Sequence, residues 1–370
     1  MNINGKAWRT IWVEESDLTI GVIDQTKLPH QFEVSILKNH DQVAEAISTM
    51  MVRGAPLIGV TGAYGLMLAM KEDASDSSLA QAFERLISTR PTAVNLQWAL
   101  ERMKNKLITI EPQMRVQAAV DEANLIAEED VRMCEKIGFN GMKLLQELNH
   151  QKGGVSSSAP LNILTHCNAG WLATVDWGTA LAPIYKAHRA GLNIHVWVDE
   201  TRPRNQGANL TSFELASEGI PHTVIVDNAG GHLMQHGHVD AVIVGSDRTT
   251  RQGDVCNKIG TYLKALAAKA NQIPFYVALP VSTIDWALLD GVSEIPIEAR
   301  SPLEVSNITG LNCSDNPNNK LQEVQLTPKG TKCFNPAFDV TPAHLVTGLI
   351  TEKGCVLPEE RAIAEMYARS

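Results

Sequence analysis

Hydrophobic and polar residues alternate in two different ways along the chain. Near the N-terminus, short apolar runs separated by Asp, Gly and Pro predict β-strands at residues 9–14, 18–23 and 32–36. From Asp41 onward the apolar positions recur at helical spacing, which predicts a first helix with Asp41 as its cap. Further helices are predicted at residues 57–70, 78–87, 96–107 and 116–148. The first part of the chain is therefore a mixed strand and helical region.

A regular alternation follows a small polar run, Q-K-G-G-V-S-S-S, at residues 151–158. Apolar runs predict strands at residues 161–165, 194–198, 223–226, 241–244 and 275–278. The helices between and after them are predicted near residues 179–189, 210–218, 231–236 and 255–270. Strands that are apolar throughout are buried on both faces, so this alternation predicts a mostly parallel sheet in an α/β fold. We place the domain boundary in the polar run, between residues 1–152 and 153–370.

Polar residues and glycines follow four consecutive strands of this predicted sheet. The segments are T-H-C-N-A-G (165–170), D-E-T-R-P-R-N-Q-G (199–207), D-N-A-G-G (227–231) and G-S-D-R (245–248). Ligands of parallel sheets bind at the carboxyl ends of the strands, so we expect a shared site here. The alternative for any single segment is an ordinary turn or helix cap.

Two of these segments carry candidate catalytic groups. Cys167 precedes a glycine turn into a predicted helix, and a thiol at a helix N-terminus has a lowered pKa. Asp247 follows a buried strand, where desolvation raises the pKa of a carboxyl group and suits it to general acid catalysis. The alternatives are an inert buried thiol and an ion pair between Asp247 and Arg248. Small buried thiols are the expectation for the remaining cysteines, Cys134, Cys256, Cys313, Cys333 and Cys355.

Basic residues near predicted helix starts are candidates for anion binding. Arg53-Gly54-Ala55-Pro56 opens the helix at residues 57–70, and Asn257 and Lys258 open the helix at residues 255–270. Arg90 lies in a turn. Taken singly, each of these cations is better explained as an exposed surface residue.

Composition limits the classes of partner and the cellular compartments that we expect for this protein. The chain has 32 basic and 41 acidic residues, a net charge of −9, which disfavours nucleic acid or an anionic membrane as a partner. The cysteines form no C-x-x-C pair, and neither a signal peptide nor an apolar run long enough to span a membrane is visible, so we expect a cytoplasmic protein. His232, His236 and His238 have a spacing that could bind a metal, but a helix end is the preferred interpretation and no metal is expected.

Five segments together resemble the methylthioribose-1-phosphate isomerase family. They are R-G-A-P-L-I-G (53–59), T-H-C-N-A-G (165–170), D-E-T-R-P-R-N-Q-G (199–207), G-S-D-R (245–248) and C-N-K-I-G-T (256–261). The similarity runs from about Arg9 to N-P-A-F-D-V-T-P (335–342), which is nearly the whole chain. That family is related to the regulatory subunits of translation initiation factor 2B and to ribose-1,5-bisphosphate isomerases. The resemblance implies a Rossmann-like catalytic domain after the N-terminal domain, and a homodimer.

The same resemblance implies roles for individual residues. In the conversion of 5-methylthioribose 1-phosphate to 5-methylthioribulose 1-phosphate, a step of methionine salvage, Asp247 resembles the proton donor. Cys167 resembles the residue that stabilises the transition state or acts as a base. Substrate contacts are implied at Arg53, Gly54, Ala55, Arg90, Gln206, Asn257 and Lys258. Ser246 replaces the alanine of the usual G-A-D-R segment, and Asp247 itself is kept. Neither a cofactor nor a metal is implied.

The chemistry of such a substrate fits these residue types. Its anomeric oxygen carries phosphate, so the ring opens only if the ring oxygen is protonated, which requires a carboxylic acid held neutral. Whether hydrogen then moves between C2 and C1 as a proton or as a hydride stays open. The alternatives are a ribose-1,5-bisphosphate isomerase and a non-catalytic regulatory protein. An apolar subsite for the C5 substituent would favour the methylthio sugar. Trp98, Trp171 and Trp177 are candidates for its wall, although a position in the core is the preferred interpretation for each.

Overall fold

The N-terminal part of the chain combines short strands with a bundle of helices. The computed structural model describes residues 1–3, 5–154, 159–312 and 321–368. The first elements are β1 (Asn2–Ile3), β2 (Lys6–Ala7), β3 (Ile11–Glu14), β4 (Thr19–Ile23), β5 (Val34–Leu37), α1 (His40–Ser48), α2 (Ala55–Glu72), α3 (Asp76–Ile87), α4 (Val94–Leu107) and α5 (Pro112–Gln151). Strands β3, β4 and β5 form an antiparallel sheet. Helix α2 is apolar on all sides and nearly completely buried, and the other helices pack around it.

The predicted cap of the first helix is wrong by two residues. Helix α1 begins at His40, and the Asn39 side chain accepts a hydrogen bond from the backbone N–H of Gln42 at 2.9 Å. Asn and Asp serve equally well at this position, so the sequence pattern alone does not choose between Asn39 and Asp41.

The second part of the chain is built on a seven-stranded sheet. Its elements are β6 (Leu161–Thr165), α6 (Leu181–Arg189), β7 (Ile194–Asp199), α7 (Ser212–Ser217), β8 (His222–Ile225), α8 (Ala229–Gln235) and β9 (Ala241–Val244). Later come β10 (Arg248–Thr250), β11 (Val255–Lys258), α9 (Thr261–Ala270), β12 (Phe275–Ala278), β13 (Ile284–Asp285), α10 (Gly291–Glu294) and α11 (Leu303–Ser306). The chain continues with β14 (Asn307–Leu311), β15 (Leu321–Gln325), β16 (Phe338–Thr341), β17 (Gly348–Thr351), β18 (Gly354–Val356) and α12 (Glu360–Tyr367).

The strand order of this sheet creates a crevice. The order is β18-β17-β12-β9-β6-β7-β8, and every pairing except that of the edge strand β18 is parallel. Apolar clusters cover both faces, as the continuous apolar strands predict. From β6 the chain proceeds outward on one side through β7 and β8, and then returns to place β9 on the other side. Parallel sheets bind ligands at such a reversal, here at the carboxyl ends of β6 and β9.

A smaller sheet lies beside the first and corrects one predicted element. Its order is β13-β10-β11-β16, and β11 pairs antiparallel with both β10 and β16. Residues 255–258 are therefore a strand and not the start of a helix, which begins only at Thr261. The partner strand β16 lies about 80 residues further along the chain, so local periodicity does not reveal it. Strands β14 and β15 form a separate hairpin.

The predicted domain boundary lies in the polar run at residues 151–158. Residues 155–158 of the polar run lie outside the described residues, and the division at residue 152 stays a prediction. Helix α5 packs both on α2 and on α6, so it contacts both parts of the chain. Among the described helices, none combines the length and the apolar character that a membrane crossing requires.

Candidate active site

A cleft of about 570 Å³ lies at the carboxyl ends of β6 and β9, facing the N-terminus of α2. All nine residues singled out from the sequence line it: Arg53, Gly54, Ala55, Arg90, Cys167, Gln206, Asp247, Asn257 and Lys258. They come from both parts of the chain, and those of the second part follow or lie on four different strands, β6, β7, β9 and β11. The structure thus gathers into one site residues that are up to 205 positions apart.

Cys167 is held in a strained conformation directly after β6. Its φ is 65°, in the left-handed region that favours glycine, and Thr201 after β7 has the same φ. The Cys167 backbone N–H donates to Thr201 Oγ1 at 2.7 Å, so the two strained residues fix one another. The thiol Sγ donates to Gln206 Oε1 at 3.1 Å. This geometry aims the thiol at the loop that follows β7.

The predicted lowering of the Cys167 pKa is wrong. The helix expected after Gly170 is only a single 3₁₀ turn, Trp171–Ala173, and α6 begins at Leu181, so the segment that follows Cys167 does not place a helix N-terminus at the thiol. Burial raises the pKa of Cys167, and the nearby charges of Arg53 and Lys258 oppose that rise. The group in the cleft is therefore a neutral thiol that donates a hydrogen bond.

Asp247 is a carboxyl group without a counter-ion in direct contact. Burial raises its pKa, and the charges of Lys258, Arg90 and Arg53 act in the opposite direction. Its backbone N–H donates to Cys256 O at 2.9 Å, and within the described part of the chain its side chain makes neither a hydrogen bond nor an ion pair. Arg248 pairs instead with Asp285, Nη1 to Oδ2 at 3.5 Å. The ion pair considered from the sequence is not formed, and Asp247 is suited to hold a proton.

Lys258 is a buried cation that still lacks a partner. It lies on β11, is 8% exposed, and its Nζ lies 4.7 Å from the centre of the Phe338 ring. Among the described residues no acceptor or carboxylate is bonded to Nζ, and burial lowers the pKa of the ammonium. Its neighbour Asn257 donates from Nδ2 to Thr261 Oγ1 at 3.0 Å. A buried ammonium in this state is ready to bind an anion.

Arg90 has one edge occupied and one edge free. Its Nε and Nη2 donate to the same oxygen of Glu298, Oε2, at 3.1 and 2.7 Å. In the part of the chain that the structure describes, Nη1 makes no hydrogen bond. The guanidinium is thus oriented by Glu298 and presents its other side for a ligand.

Arg53 and the start of α2 form the remaining cationic side of the cleft. Arg53 is 7% exposed and donates to the backbone oxygen of Asn168 at 2.6 Å and to the side-chain oxygen of the same residue. Gly54 has a φ of 97°, and a Cβ there would lie 2.5 Å from Ala173 O, so glycine is required at the helix cap. The N–H groups of the first turn of α2 then face the cleft, as expected for anion binding.

The apolar wall of the cleft is not made by tryptophan. Trp171 is fully buried in the core, while Trp98 and Trp177 pack against core clusters, and none of the three lines the cleft. The apolar lining consists of Met50, Ala55, Pro56, Ile58, Ala169, Ala173 and Phe338. The three tryptophans therefore pack in or against the core, which is the preferred interpretation from the sequence, and none is a wall of the cleft.

A buried charge network supports the floor of the cleft. His166 Nδ1 lies 2.8 Å from Asp199 Oδ2, and its Nε2 lies 2.8 Å from Ile259 O. His166, Asp199 and Asp227 lie close enough together to share a metal ion, but Lys264 Nζ lies 3.2 Å from Asp199 Oδ2 and already supplies a cation there. His166 also lines the cleft. It lies within T-H-C-N-A-G but is not among the residues that the sequence indicated.

The other histidines and cysteines contribute less. His236 Nδ1 is hydrogen-bonded to His232 O at 2.8 Å, in keeping with a helix end. Cys134 and Cys256 are buried as expected, but Cys333 is partly exposed and Cys355, on the edge strand β18, is exposed. Cys313 lies outside the described residues. The described cysteines are all free thiols.

Comparison with known proteins identifies close relatives. Residues 51–358 match the model of the initiation factor 2 subunit family. The chain is 58% identical to a methylthioribose-1-phosphate isomerase of Methylocella silvestris over 99% of this chain and 98% of that protein. It is 57% identical to the protein of that name from Escherichia coli O45:K1, over 100% of this chain and 97% of that one.

Solved structures with the same fold include two with substantial sequence identity. A 5-methylthioribose 1-phosphate isomerase from Pyrococcus horikoshii OT3 has a TM-score of 0.82 and 38% identity, covering 99% of this chain and 97% of that chain. The delta subunit of translation initiation factor eIF-2B from A. fulgidus has a TM-score of 0.78 and 40% identity, covering 97% and 99%. The same mixed α/β architecture therefore extends over nearly the whole chain.

Proposed function

Because the chain belongs to the initiation factor 2 subunit family and, within it, to the methylthioribose-1-phosphate isomerases, we propose that its cleft converts 5-methylthioribose 1-phosphate to 5-methylthioribulose 1-phosphate. The protein is an intramolecular oxidoreductase of the aldose–ketose isomerase class, acting in methionine salvage. The observation that supports these site roles best is that a neutral thiol, the Asp247 carboxyl and three buried cations meet in one cleft, and that among the described residues neither Asp247 nor Lys258 has an ion-pair partner.

In this proposal the cationic side of the cleft binds the phosphate. Lys258 offers an ammonium that no described residue pairs with, and Arg90 offers the side of its guanidinium that Glu298 does not occupy. Arg53 and the first N–H groups of α2, at Gly54 and Ala55, complete the clamp. Asn257 and Gln206 are placed to contact the sugar. Fixed donors of this kind hold the reacting sugar in one orientation.

Asp247 is the general acid in the first step. It donates its proton to the ring oxygen, the bond between that oxygen and C1 breaks, and an oxygen-stabilised cation develops at C1. A carboxyl group performs this step only while it is protonated, and the burial that raises the pKa of Asp247 favours that state.

Hydrogen then moves from C2 to C1. In the hydride path, C2–H transfers with its electron pair to C1 while the C2 hydroxyl loses its proton and becomes the ketone. That proton restores Asp247 to its acid form, so the numbers of protons and electrons balance. Substrate and product are isomers, so no redox cofactor enters the balance. Cys167 supplies a neutral thiol whose polarisable sulfur stabilises the positive charge that develops on the sugar, and the apolar wall excludes the water that would compete for the cation.

The test compares two sugar phosphates with the purified protein. We expect turnover of 5-methylthioribose 1-phosphate, followed by phosphorus NMR, and much weaker turnover of ribose 1,5-bisphosphate, because the cleft also has an apolar side that includes Met50, Ile58 and Phe338 and suits the methylthio group. Efficient turnover of the bisphosphate would favour that isomerase activity, and no turnover of either would favour a regulatory role. In deuterated water, product without deuterium at C1 supports the hydride path.

We also propose that the chain forms a homodimer. Helix α9 exposes three large side chains, Tyr262, Leu263 and Leu266, at spacings that bring them to one side of the helix. An exposed apolar strip of this kind is typical of an interface. Sedimentation analysis should give twice the chain mass, and Leu263→Asp should give the single-chain mass. A single-chain mass for the unmodified protein would contradict the proposal.

A cytoplasmic location is the corresponding proposal for the compartment. The described cysteines are free, and a reducing compartment keeps thiols in that state. Fractionation of cells that produce the protein tests this directly, with activity expected in the cytoplasmic fraction.

A further inference from the structure

Asn168 lies next to Cys167 in the cleft, yet the proposed reaction gives it no role. Its side chain is 2% exposed, and each polar atom has a partner inside the protein. Oδ1 accepts from Arg53 Nη1, and Nδ2 donates to Glu214 Oε1 at 2.9 Å and to Thr211 Oγ1 at 3.2 Å. The two amide hydrogens are thus both used within the protein. The side chain has no donor left for a substrate, and of its three side-chain partners only Arg53 lines the cleft.

Glu214 determines which way the Asn168 amide faces. It is fully buried below the cleft, and its carboxyl oxygens meet four donors: Asn168 Nδ2, the backbone N–H groups of Trp171 and Leu172 at 3.0 Å, and the Tyr185 hydroxyl. Rotating the amide by half a turn would place Oδ1 against Glu214 and the NH₂ group against Arg53. Both contacts would then be repulsive, so Oδ1 must face the guanidinium.

This orientation holds in either protonation state of Glu214. Burial raises its pKa to about 7. When it is protonated, the hydrogen fits on Oε2, where it donates to the Tyr185 hydroxyl oxygen. Oε1 then remains an acceptor for Asn168. The same packing also explains Gly170, because a Cβ there would lie 1.7 Å from Glu214 Oε2.

We propose that Asn168, oriented by Glu214, is a positioning residue that holds the Arg53 guanidinium in place for an anionic ligand. The proposal rests on the proposed role of Arg53 in phosphate binding. Arg53 extends from the N-terminal part of the chain, and its two Nη atoms are both bonded to Asn168. A preorganised guanidinium loses less conformational freedom when the ligand binds. Without the Asn168 side chain, Nη1 would lose its acceptor and the guanidinium would be held only by the bond from Nη2 to the backbone oxygen of residue 168.

The most informative variant is Asn168→Asp, which keeps the size of the side chain. One oxygen of the introduced carboxyl still accepts from Arg53, but the other faces Glu214 where the amide donated at 2.9 Å. Two carboxyl groups this close share one proton over a wide pH range. While the proton is shared, the introduced group donates to Glu214 as the amide did. At higher pH both ionise and repel, and Arg53 loses its fixed position.

We expect Asn168→Asp to lose affinity for phosphate at high pH and to regain it at low pH. At pH 8.5 the KM of Asn168→Asp and its inhibition constant for inorganic phosphate should each be about tenfold above those of the unmodified protein, with kcat within about threefold. At pH 6 both ratios should return toward one. Taking ratios at each pH removes the titration of the phosphate itself. A folded variant with unchanged KM and phosphate inhibition at pH 8.5 would overturn the proposal.

A double-mutant cycle separates positioning from a general structural effect. In an Arg53→Ala background, Asn168→Asp should cause no further change in phosphate inhibition, because the guanidinium through which residue 168 acts on the ligand is absent. An additive loss would overturn the proposal. If the Asp variant does not fold, Asn168→Ser supplies the same cycle, with about a tenfold loss at every pH. Asn140→Asp is the matched control, since Asn140 also donates from Nδ2, to Thr351 O at 2.8 Å, far along the chain from the cleft.

Failure of the proposed function looks different in this experiment. If the unmodified protein binds inorganic phosphate but does not isomerise the sugar, the proposed reaction is wrong. Phosphate binding, followed by the rise in thermal stability, still tests Asn168.

Discussion

Lys258 should weaken the fold in the absence of a ligand and strengthen phosphate binding in its presence. Its ammonium is buried on β11 without a partner among the described residues, and its pKa is lowered because burial penalises the charge. Lys258→Met keeps most of the side-chain volume over the Phe338 ring and removes the charge. The variant should therefore bind phosphate more weakly and have a higher free energy of unfolding in the absence of ligand.

The magnitudes follow from the burial. A hydrogen bond between charged groups contributes about 1.5–3 kcal/mol net, and each 1.4 kcal/mol is a factor of about ten in affinity. KM should therefore rise roughly 10- to 150-fold in Lys258→Met. Removing an uncompensated buried charge should raise the free energy of unfolding by about 1 kcal/mol or more, which corresponds to roughly 2 °C in Tm for a chain of this size.

The stability gain should depend on pH. The folded state of the unmodified protein binds the Lys258 proton less tightly than the unfolded state does, because the pKa is lowered on folding. Lys258 therefore lowers the free energy of unfolding most at neutral pH. This penalty shrinks as pH rises through the lowered pKa toward 10.5, where the unfolded lysine also loses its proton. The advantage of Lys258→Met should be largest near neutral pH and should shrink at alkaline pH.

Two assays check these expectations together. Steady-state kinetics gives KM, and thermal unfolding with and without inorganic phosphate gives the stability and the ligand-dependent shift. Lys269→Met, at an exposed position of α9, is the control and should change neither quantity. A Lys258→Met protein that is less stable at neutral pH, yet keeps the normal phosphate-induced rise in Tm, would refute this reasoning.

Two further predictions concern the thiol and the acid. Cys167→Ser should keep the hydrogen bond to Gln206 but lose the polarisable sulfur, so kcat should fall by about 10²-fold while KM changes little, as steady-state kinetics would measure. An equal activity of the serine variant would argue against a role for sulfur. Because burial raises the Asp247 pKa and the acid works only when protonated, kcat should be highest below that pKa and should fall as pH rises through it. Lys258→Met should move this decline to higher pH, since the Lys258 charge lowers the Asp247 pKa, and a pH–rate profile that does not move would contradict the assignment.

The carboxyl ends of the parallel strands were the predictable part of the site. Continuous apolar strands followed by polar residues identify Cys167 and Asp247, and the reversal of strand order places them at one crevice. Arg53 and Arg90 could not be placed by that rule, because they come from helix and turn positions in the N-terminal part. Their selection depended on the family resemblance, and the structure brings them to the same cleft.

The supporting contacts could not be predicted, because each joins distant parts of the chain. Glu298 orients Arg90 across 208 positions, and Glu214 orients Asn168 across 46. Strand β11 depends on its pairing with β16, so its residues looked like a helix start when taken alone. The tryptophans show a further limit. Their apolar character fits both a cleft wall and the core, and the sequence alone does not say which position each one occupies.

The most direct test of the account is the turnover of Asp247→Asn. The amide is close in size to the carboxyl group but has no acidic proton to give to the ring oxygen. We expect substrate or inorganic phosphate to bind with an affinity within about threefold of normal, while kcat falls by about 10²- to 10⁴-fold. A correctly folded Asp247→Asn protein that isomerises the sugar at a near-normal rate would contradict the central claim that this buried carboxyl opens the ring.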